Sequence, residues 1–402
     1  MKAGGFDVIV GNPPWGAELS EAARGYLVER YPQVPTKTKD SYFYFIAQAV
    51  SKLRPAGLLG FIVPNTWLLI NSAKEFRQWL LSFDLKEIID YGDGVFKQAT
   101  VESATFVLAN QKDGPRECRA VRIRKGKTVV DHVIDKASWL GDEYCRIVVD
   151  CDKVTAELLA KLSARSEPFE ERCVIKWGIK PYQVGHGTPR QTREMMEQRI
   201  YHAPKPKGKD WKPLLVGSDV NRYLIQFPGD QYIKYGKWLM YPSSEELMVH
   251  PKLLLRQTSD ILRACYDERG YYCQNSVFIV HSDEINLKFL LALLNSKLFR
   301  FVYQLRNPQS GKVFAEIKPS VIKELPIRKV NLENGAEKTR HDKIIQLADS
   351  MLEAQMKLAG SKSDHDGEYY EKKCTALDRQ IDELIYSLYE LTDVEIRTVD
   401  GA

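Results

Sequence analysis

Short apolar runs recur along the first hundred residues, separated by polar or helical stretches. Two stretches carry apolar residues at helical spacing, Ser41–Leu53 and Ser72–Ser82. The continuous apolar runs predict strands at Phe6–Val10, Leu58–Val63, Leu85–Asp90 and Ser103–Leu108. Buried strands alternating with helices predict a parallel α/β sheet with both faces covered. The last two strands follow each other closely, so we expect them to pair as an antiparallel edge hairpin.

The pattern changes after about residue 165. Short strands, Gly, Pro and aromatic residues alternate with basic residues from Val174 to about Arg328, and Leu287–Tyr303 is predicted as one helix. Beyond Asn331, apolar residues at helical spacing resume, and the polar stretch Gly360–Gly367 interrupts them, which predicts a helical hairpin. We therefore predict an α/β region, a connecting region, an α+β region and a helical region, at 1–112, 113–165, 166–330 and 331–402.

The composition is that of a globular protein, with 44% hydrophobic and 28% charged residues. No apolar run approaches the roughly 18 residues of a membrane-spanning helix, and the N-terminus lacks a signal-peptide pattern. The seven cysteines are scattered and never spaced CxxC. This favours the reducing cytoplasm over a disulfide framework, and argues against a zinc site.

Charge is distributed unevenly along the chain. Residues 1–164 hold 22 Lys and Arg against 20 Asp and Glu, residues 165–329 hold 27 against 17, and residues 330–402 hold 9 against 16. The excess of +10 in the middle region fits a polyanion partner, although chance variation on a solvated surface fits it equally well.

The stretch Asn12-Pro-Pro-Trp15 follows the first predicted strand directly. In a parallel sheet, the carboxyl ends of the strands form the edge at which ligands bind. Two prolines stiffen the segment and leave the Pro13 carbonyl available as an acceptor, beside the Asn12 side-chain carbonyl. Two acceptors next to the plane of Trp15 suit a planar ring with an exocyclic amine, such as adenine. A rigid turn with Trp15 as a packing anchor is the structural alternative.

An ordered series of motifs accompanies this stretch. In the first region it comprises FDVIVGNPPW from Phe6, DSYFYFI from Asp40, LRPAGLLGFIVPNTWL from Leu53, DYGDGVF from Asp90 and VESATFVL from Val101. Further on it comprises PLLVGSDVNRYLI from Pro213, PKLLLRQTSDILRACYDERGYY from Pro251, LLALLNSKLFRFVY from Leu290, IKELPIR from Ile322 and LDRQIDELIYSLYELTDVEI from Leu377. Nearly end to end, the chain resembles the gamma-class adenine-N6 DNA methyltransferases, of the Taq type and of Type IIG restriction–modification proteins.

The resemblance implies a fold and residue roles. It implies part of a Rossmann-like methyltransferase sheet, then an α+β target-recognition domain and a C-terminal helical hairpin. Asn12 and the Pro13 carbonyl, in the motif with Pro14, would hold the amine of an adenine flipped out of duplex DNA. Trp15 would stack on the base and Phe96 would contact it from another side. Phe45 would pack on the adenine of S-adenosylmethionine.

One departure from the family concerns the cofactor. In the family, a Gly-rich loop and an acidic residue for S-adenosylmethionine precede the catalytic motif, but here only eleven residues precede Asn12. Neither YGDGVF from Tyr91 nor VGHGT from Val184 is a credible substitute. We therefore expect the cofactor-binding half to come from an upstream segment or a separate polypeptide, and the isolated chain to be inactive.

Two functions follow from these observations. The first is site-specific adenine-N6 methylation of double-stranded DNA, and the second is a non-catalytic recognition subunit of a restriction–modification complex. We expect Arg256, Arg263 and Lys312 to contact DNA. Glu316-Ile-Lys318 has part of a metal-nuclease spacing, but no Asp pattern precedes it, so a solvated pair explains it better. The histidines show no metal-ligand spacing.

Overall fold

The computed structural model describes residues 4–16, 19–34, 40–92, 95, 101–124, 126–307 and 315–401. The chain forms two compact units, Met1–Leu158 and Leu159–Ala402, and the boundary between them falls within one helix. The strands of the first unit are β1 (Phe6–Gly11), β2 (Leu53–Pro64), β3 (Phe83–Gly92), β4 (Ser103–Lys112), β5 (Glu117–Arg124) and β6 (Lys127–Asp135). Its helices are α1 (Glu21–Arg30), α2 (Tyr42–Lys52), α3 (Lys74–Leu81), α4 (Lys136–Leu140) and α5 (Lys153–Ala164), the last of which crosses the boundary.

The six strands of the first unit form one mixed sheet in the order β1-β2-β4-β3-β5-β6. β1 and β2 are parallel, with Gly11 beside Phe61, whereas β4 is antiparallel to both β2 and β3. The antiparallel pairing of β3 with β4 agrees with the sequence-based prediction. Its placement at an edge was wrong, because the predicted connecting region supplies β5 and β6, which extend the sheet beyond β3.

β1 is an edge strand and is not buried as its apolar sequence predicts. Phe6, Val8 and Val10 are 46%, 54% and 76% exposed, whereas Ile9 packs against the core. The same alternation continues on β2, where Leu59 is buried beside half-buried Leu58. The described helices α2 and α3 pack on β2 and β3. The prediction that both faces would be covered was therefore wrong for the described part of the chain.

The core of the first unit lies between the sheet and these helices. Buried aromatic side chains fill it, with Phe76 edge-on to both Phe43 and Trp67. The fully buried Arg77 on α3 pairs with no carboxylate of the described chain and donates to the carbonyls of Ile70 and Tyr144 at 2.8 and 2.7 Å. The bond to Tyr144 attaches the segment after α4 to α3.

A close approach at Gly57 sets the start of the β1–β2 pair. The register shifts between Phe6, which lies beside Leu53, and Val8, which lies beside Leu58. A Cβ atom at Gly57 would lie 2.7 Å from the Phe6 carbonyl oxygen, so glycine is needed there.

The second unit combines short strands with a helical end. Its strands are β7 (Ser166–Pro168), β8 (Val174–Trp177), β9 (His202–Ala203), β10 (Trp211–Leu215), β11 (Val220–Asn221), β12 (Leu224–Ile225), β13 (Tyr232–Lys234), β14 (Lys252–Arg256), β15 (Ala264–Asp267), β16 (Tyr272–Cys273), β17 (Val277–His281) and β18 (Pro326–Arg328). Its helices are α6 (Phe169–Arg172), α7 (Arg193–Glu197), α8 (Glu245–Val249), α9 (Leu287–Asn295), α10 (Lys297–Arg306), α11 (Pro319–Lys323), α12 (Gly335–Ala359), α13 (Asp364–Leu388) and α14 (Asp393–Asp400).

Two four-stranded sheets organise this unit, in the orders β16-β10-β13-β9 and β15-β14-β17-β8. The helix predicted over Leu287–Tyr303 is two helices, because Ser296 has an extended backbone and caps α10 by accepting from the Phe299 amide. The helices α12 and α13 pack together, as the helical-hairpin pattern predicts. Each domain boundary drawn from the sequence stays a prediction.

The seven cysteines, all within the described residues, are buried free thiols. Among the described helices, none combines the length and the apolar content that crossing a membrane requires. The cytoplasmic location expected from the cysteine pattern stays a prediction.

Candidate active site

The Asn-Pro-Pro-Trp stretch leaves the end of β1 with alternating exposure. Asn12 and Pro14 are exposed, Pro13 is buried, and Trp15 is half-buried and packs against the core of the first unit. Both readings of Trp15 therefore apply in part, since one portion of the ring anchors the turn while another remains accessible.

Ser41 holds this stretch in place from the start of α2. Its hydroxyl donates to the Pro14 carbonyl oxygen at 2.6 Å, and its own carbonyl accepts from the amides of Tyr44 and Phe45. The side chain is 2% exposed, so the bond is shielded from water. The sequence analysis missed Ser41, although a serine just before a helical pattern is a recognisable signal of a helix start.

The two acceptors named from the sequence remain available. Within the described residues, no hydrogen bond reaches the Asn12 side chain or the Pro13 carbonyl, whereas the Pro14 carbonyl is occupied by Ser41. An exposed amide oxygen and a free carbonyl on adjacent residues can together accept the two N–H groups of a planar amine.

Two further aromatic residues, Phe45 and Phe96, were assigned to this site from the sequence. Phe45 lies on α2 four residues after Ser41, hence on the same side of the helix, and is 42% exposed while its neighbours Tyr44 and Ile46 are buried. The structure thus brings Phe45 close to the Asn-Pro-Pro-Trp stretch as an accessible flat face. Phe96 lies outside the described residues.

A buried carboxylate joins three strand ends in this unit. Asp90, on β3, is 2% exposed and accepts from Asn65 Nδ2 at 3.1 Å and from the Gly92 amide at 3.0 Å. Its second oxygen accepts from Arg122 Nε at 3.0 Å and from Arg124 at 3.1 Å. Burial opposes ionisation, but the two arginines and Asn65 outweigh it and lower the pKa of Asp90. The sequence analysis gave none of these residues a role.

The residues expected to contact DNA lie in the second unit. Arg256 ends β14 and Arg263 precedes β15, and a backbone bond of 3.1 Å joins them. Arg256 Nε donates to the Thr258 carbonyl and Arg263 Nε to the Ser259 hydroxyl. Both side chains are half-buried, and no further hydrogen bond of either guanidinium involves the described chain, so their terminal nitrogens can still donate. Lys312 lies outside the described residues.

The Glu316–Lys318 spacing gains no support as a nuclease site. Lys318 Nζ lies 2.9 Å from Glu316 Oε2, so the two side chains neutralise each other. Among the described residues, no group of three His, Cys, Asp or Glu side chains is arranged to hold a metal ion.

Two family models match the two regions singled out above. The Eco57I restriction-modification methylase model matches residues 1–96, and the TaqI-like C-terminal specificity domain model matches residues 212–327. The chain is therefore similar to restriction–modification methyltransferases that carry a specificity domain. The methylase match includes Asn12, Trp15 and Phe45, and the specificity match includes Arg256 and Arg263.

Individual relatives agree with this assignment. A Type II methyltransferase of Thermus thermophilus is 29% identical over 307 residues, which is 72% of this chain and 65% of that protein. A protein of Methanocaldococcus jannaschii is 24% identical over 407 residues, which is 97% of this chain and 31% of that protein. The chain thus spans about a third of the length of that relative.

A solved structure shares the fold. The Type IIL restriction–modification enzyme MmeI, solved in complex with DNA, is similar with a TM-score of 0.61 at 13% identity. The similarity covers 98% of this chain and 56% of the other. The expected mixed α/β fold with a helical C-terminus is confirmed.

Proposed function

We propose that this chain carries the catalytic motif and the target-recognition domain of a DNA methyltransferase that modifies the N6 amine of adenine. The observation that carries the proposal is the pair of available acceptors on Asn12 and Pro13, at the end of β1 and beside the half-buried Trp15. Adenine flipped out of the duplex presents both a flat face and an amine to such a site.

Each residue of the Asn-Pro-Pro-Trp stretch has its own role in the proposed reaction. The Asn12 side-chain oxygen and the Pro13 carbonyl accept the two amine hydrogens, which draws the nitrogen lone pair out of conjugation with the ring. Ser41 fixes the Pro14 carbonyl and so keeps the acceptors oriented before the base arrives. Trp15 stacks on the base, and Phe96 contacts it from another side.

S-adenosylmethionine, when bound, supplies the methyl group as an electrophilic sulfonium. The exposed face of Phe45 fits the flat adenine of this cofactor. We place the remaining cofactor contacts on an upstream segment or a separate polypeptide. The open edge of β1 supports this, because Val8 and Val10 expose apolar surface where a further strand and its helix would bury it.

The second candidate is a DNA-recognition subunit that does not catalyse. The scarcity of assigned cofactor contacts favours this candidate, since Phe45 is the one residue among those described to which we assign such a contact. In both candidates, duplex DNA is the partner of residues 166–330, and Arg256, Arg263 and Lys312 are proposed contacts. Arginine forks in the groove suit base reading.

Methylation of duplex DNA by the complete assembly, with the cofactor-binding half restored, tests the proposal. Asn12→Ala should lower turnover on the order of 100-fold or more while DNA affinity stays similar, because the lost acceptor acts as charge develops on the amine. Wild-type turnover in Asn12→Ala would falsify the assigned role. An assembly that binds DNA but never methylates it would leave the recognition subunit as the function.

Trp15 offers a second readout in the same assay. Trp15→Ala should weaken base stacking by roughly 1–3 kcal/mol. Trp15→Phe keeps an aromatic face and serves as the matched control.

A further inference from the structure

The second unit contains a stretch of cations without acidic partners. Residues 176–237 hold twelve Lys and Arg against five Asp and Glu. Of the twelve, Arg222 alone forms an ion pair within the described chain, with Asp378 at 2.8 Å. The others are Lys176, Lys180, Arg190, Arg193, Arg199, Lys205, Lys207, Lys209, Lys212, Lys234 and Lys237.

Cations on the helical hairpin of the same unit are arranged differently. Lys357, Lys372 and Arg379 each face a Glu one turn earlier or later on their own helix. Three of the seven cations on α12 and α13 thus pair with local acids of the described chain, against one of the twelve over residues 176–237. A local excess of unpaired positive charge favours binding to a polyanion.

Backbone bonds bring the segments of several of these cations together into one layer. The Thr188 amide donates to the Lys237 carbonyl at 3.0 Å, and the Lys234 amide donates to the Tyr201 carbonyl at 2.9 Å. Lys234 on β13 lies directly opposite Trp211 on β10. The loops before β9 and β10 are therefore packed against β13 and the turn that follows it.

Aromatic rings lie between the cations of this layer. Lys207 Nζ is 5.5 Å from the centre of the Trp211 ring, and Lys234 Nζ is 4.7 Å from that of Trp238. Trp238 in turn lies 6.3 Å from Tyr201. A ring beneath an ammonium group restricts its motion and removes water from one side, leaving its N–H donors directed outward.

We propose that this layer is a phosphate grip for duplex DNA, in which Lys207, Lys234 and Lys237 contact the backbone without reading sequence. The inference rests on the proposed function for the identity of the polyanion. It extends beyond the matched specificity model, which begins at residue 212, because Lys207 and seven further cations of the stretch precede that residue, whereas Lys234 and Lys237 lie within the match. In this proposal, other residues such as Arg256 and Arg263 read the bases, so the residues that bind phosphate differ from those that read the sequence.

Salt titration of binding to a labelled duplex of arbitrary sequence tests the grip on the full chain. Each phosphate contact contributes about 0.9 to the slope of log affinity against log salt, so Lys207→Gln/Lys234→Gln/Lys237→Gln should flatten it by roughly three units. The matched control Lys357→Gln/Lys372→Gln/Arg379→Gln removes equal charge from paired positions and should leave the slope unchanged.

The outcomes separate the two proposals. If the wild-type chain binds duplex DNA and the grip variant has the same slope, the grip is wrong and the proposed function stands. No binding of the wild type to duplex DNA, or preferential binding to single strands of equal length, overturns the grip and the duplex partner together. Circular dichroism monitors folding, and exposed Lys237→Gln alone, which should flatten the slope by about one unit, keeps the test valid if the triple variant unfolds.

Discussion

Neighbouring residues of the Asn-Pro-Pro-Trp stretch have distinct tasks in the folded chain. Pro13 is buried, Pro14 is exposed and has its carbonyl held by Ser41, and Asn12 is exposed with no side-chain hydrogen bond to the described residues. Proline fixes φ, so the hydrogen bond from the buried Ser41 restrains a stretch that is already stiff. In the proposed function, this restraint would hold the acceptors in position before a base arrives, as preorganised stabilisation of developing charge requires.

Asp90 is a buried carboxylate that binds two arginine side chains of the first unit. It accepts from Arg122 and Arg124 on β5 and from Asn65 just beyond β2. Removing one partner of a buried charge pair costs roughly 3–5 kcal/mol when the other charge is left without compensation. Arg122 also pairs with Asp150, so we expect Asp90→Asn to destabilise the first unit by less, roughly 1–3 kcal/mol.

The pH dependence of that cost follows from the pKa of Asp90. The folded chain lowers this pKa, so the carboxylate contributes stability that is present above its unfolded pKa and lost as pH falls through the folded one. Urea unfolding of the wild type and Asp90→Asn should show a constant difference near neutral pH that shrinks below about pH 4. A difference that did not change with pH would show that the charge of Asp90 is irrelevant to the network.

At the scale of elements, the two edges of the six-stranded sheet differ. β1 exposes Val8 and Val10 and has a single charged residue, Asp7. β6 also exposes valines, Val129 and Val133, but places several charged side chains along its length. Charges on an edge strand discourage pairing with another chain. Because β1 has fewer charged residues than β6, it is the edge that can pair more readily with a further strand.

Self-association of the isolated chain measures this difference. We expect the wild type to associate through β1 in sedimentation velocity, and Val10→Lys to reduce that association by placing a charge on the exposed apolar surface. Val133→Lys on β6 is the matched control and should sediment like the wild type. Both substitutions are at exposed positions, so unfolding free energies should stay within about 0.5 kcal/mol. Equal effects of the two lysines would mean that β1 is not a special edge.

For the whole molecule, the division into two units separates the residues of the proposed chemistry from those of the proposed recognition. The acceptors and Phe45 lie in the first unit, whereas the unpaired cations, Arg256 and Arg263 lie in the second. The methylase and specificity models fall on the two units in the same way. A substitution in one unit should therefore change turnover or DNA affinity selectively.

Cofactor affinity is the corresponding test of the first unit by itself. With β1 open at one edge and Phe45 exposed, the described residues do not enclose a cofactor. We expect calorimetry of the isolated chain with S-adenosylmethionine to show binding weaker than about 10 µM, or roughly 7 kcal/mol. Tighter binding would reveal a cofactor site that this structure did not suggest.

Several features could be predicted because they depend on local sequence. The strand periods of β2, β3 and β4 and the helical hairpin after Asn331 follow from residue spacing, whereas the role of Asn12 and Pro13 as acceptors stays a prediction. The motif series was specific enough to predict the family, which the methylase and specificity models confirm. The break between α9 and α10 at Ser296 was missed because the apolar periodicity continues across it. The break depends on the Ser296 side chain, which caps the start of α10.

The sequence by itself determined which residue types meet at the end of β1, since a strand followed by two prolines permits few conformations. Only the tertiary structure decided that β1 is an exposed edge, because exposure depends on which strands pair and not on how apolar a strand is. It also decided that Ser41 reaches Pro14, that Asp90 gathers two arginines from β5, and that most cations between residues 176 and 237 lack acidic partners. Each of these depends on contacts between residues distant in sequence, and local periodicity carries no information about such contacts.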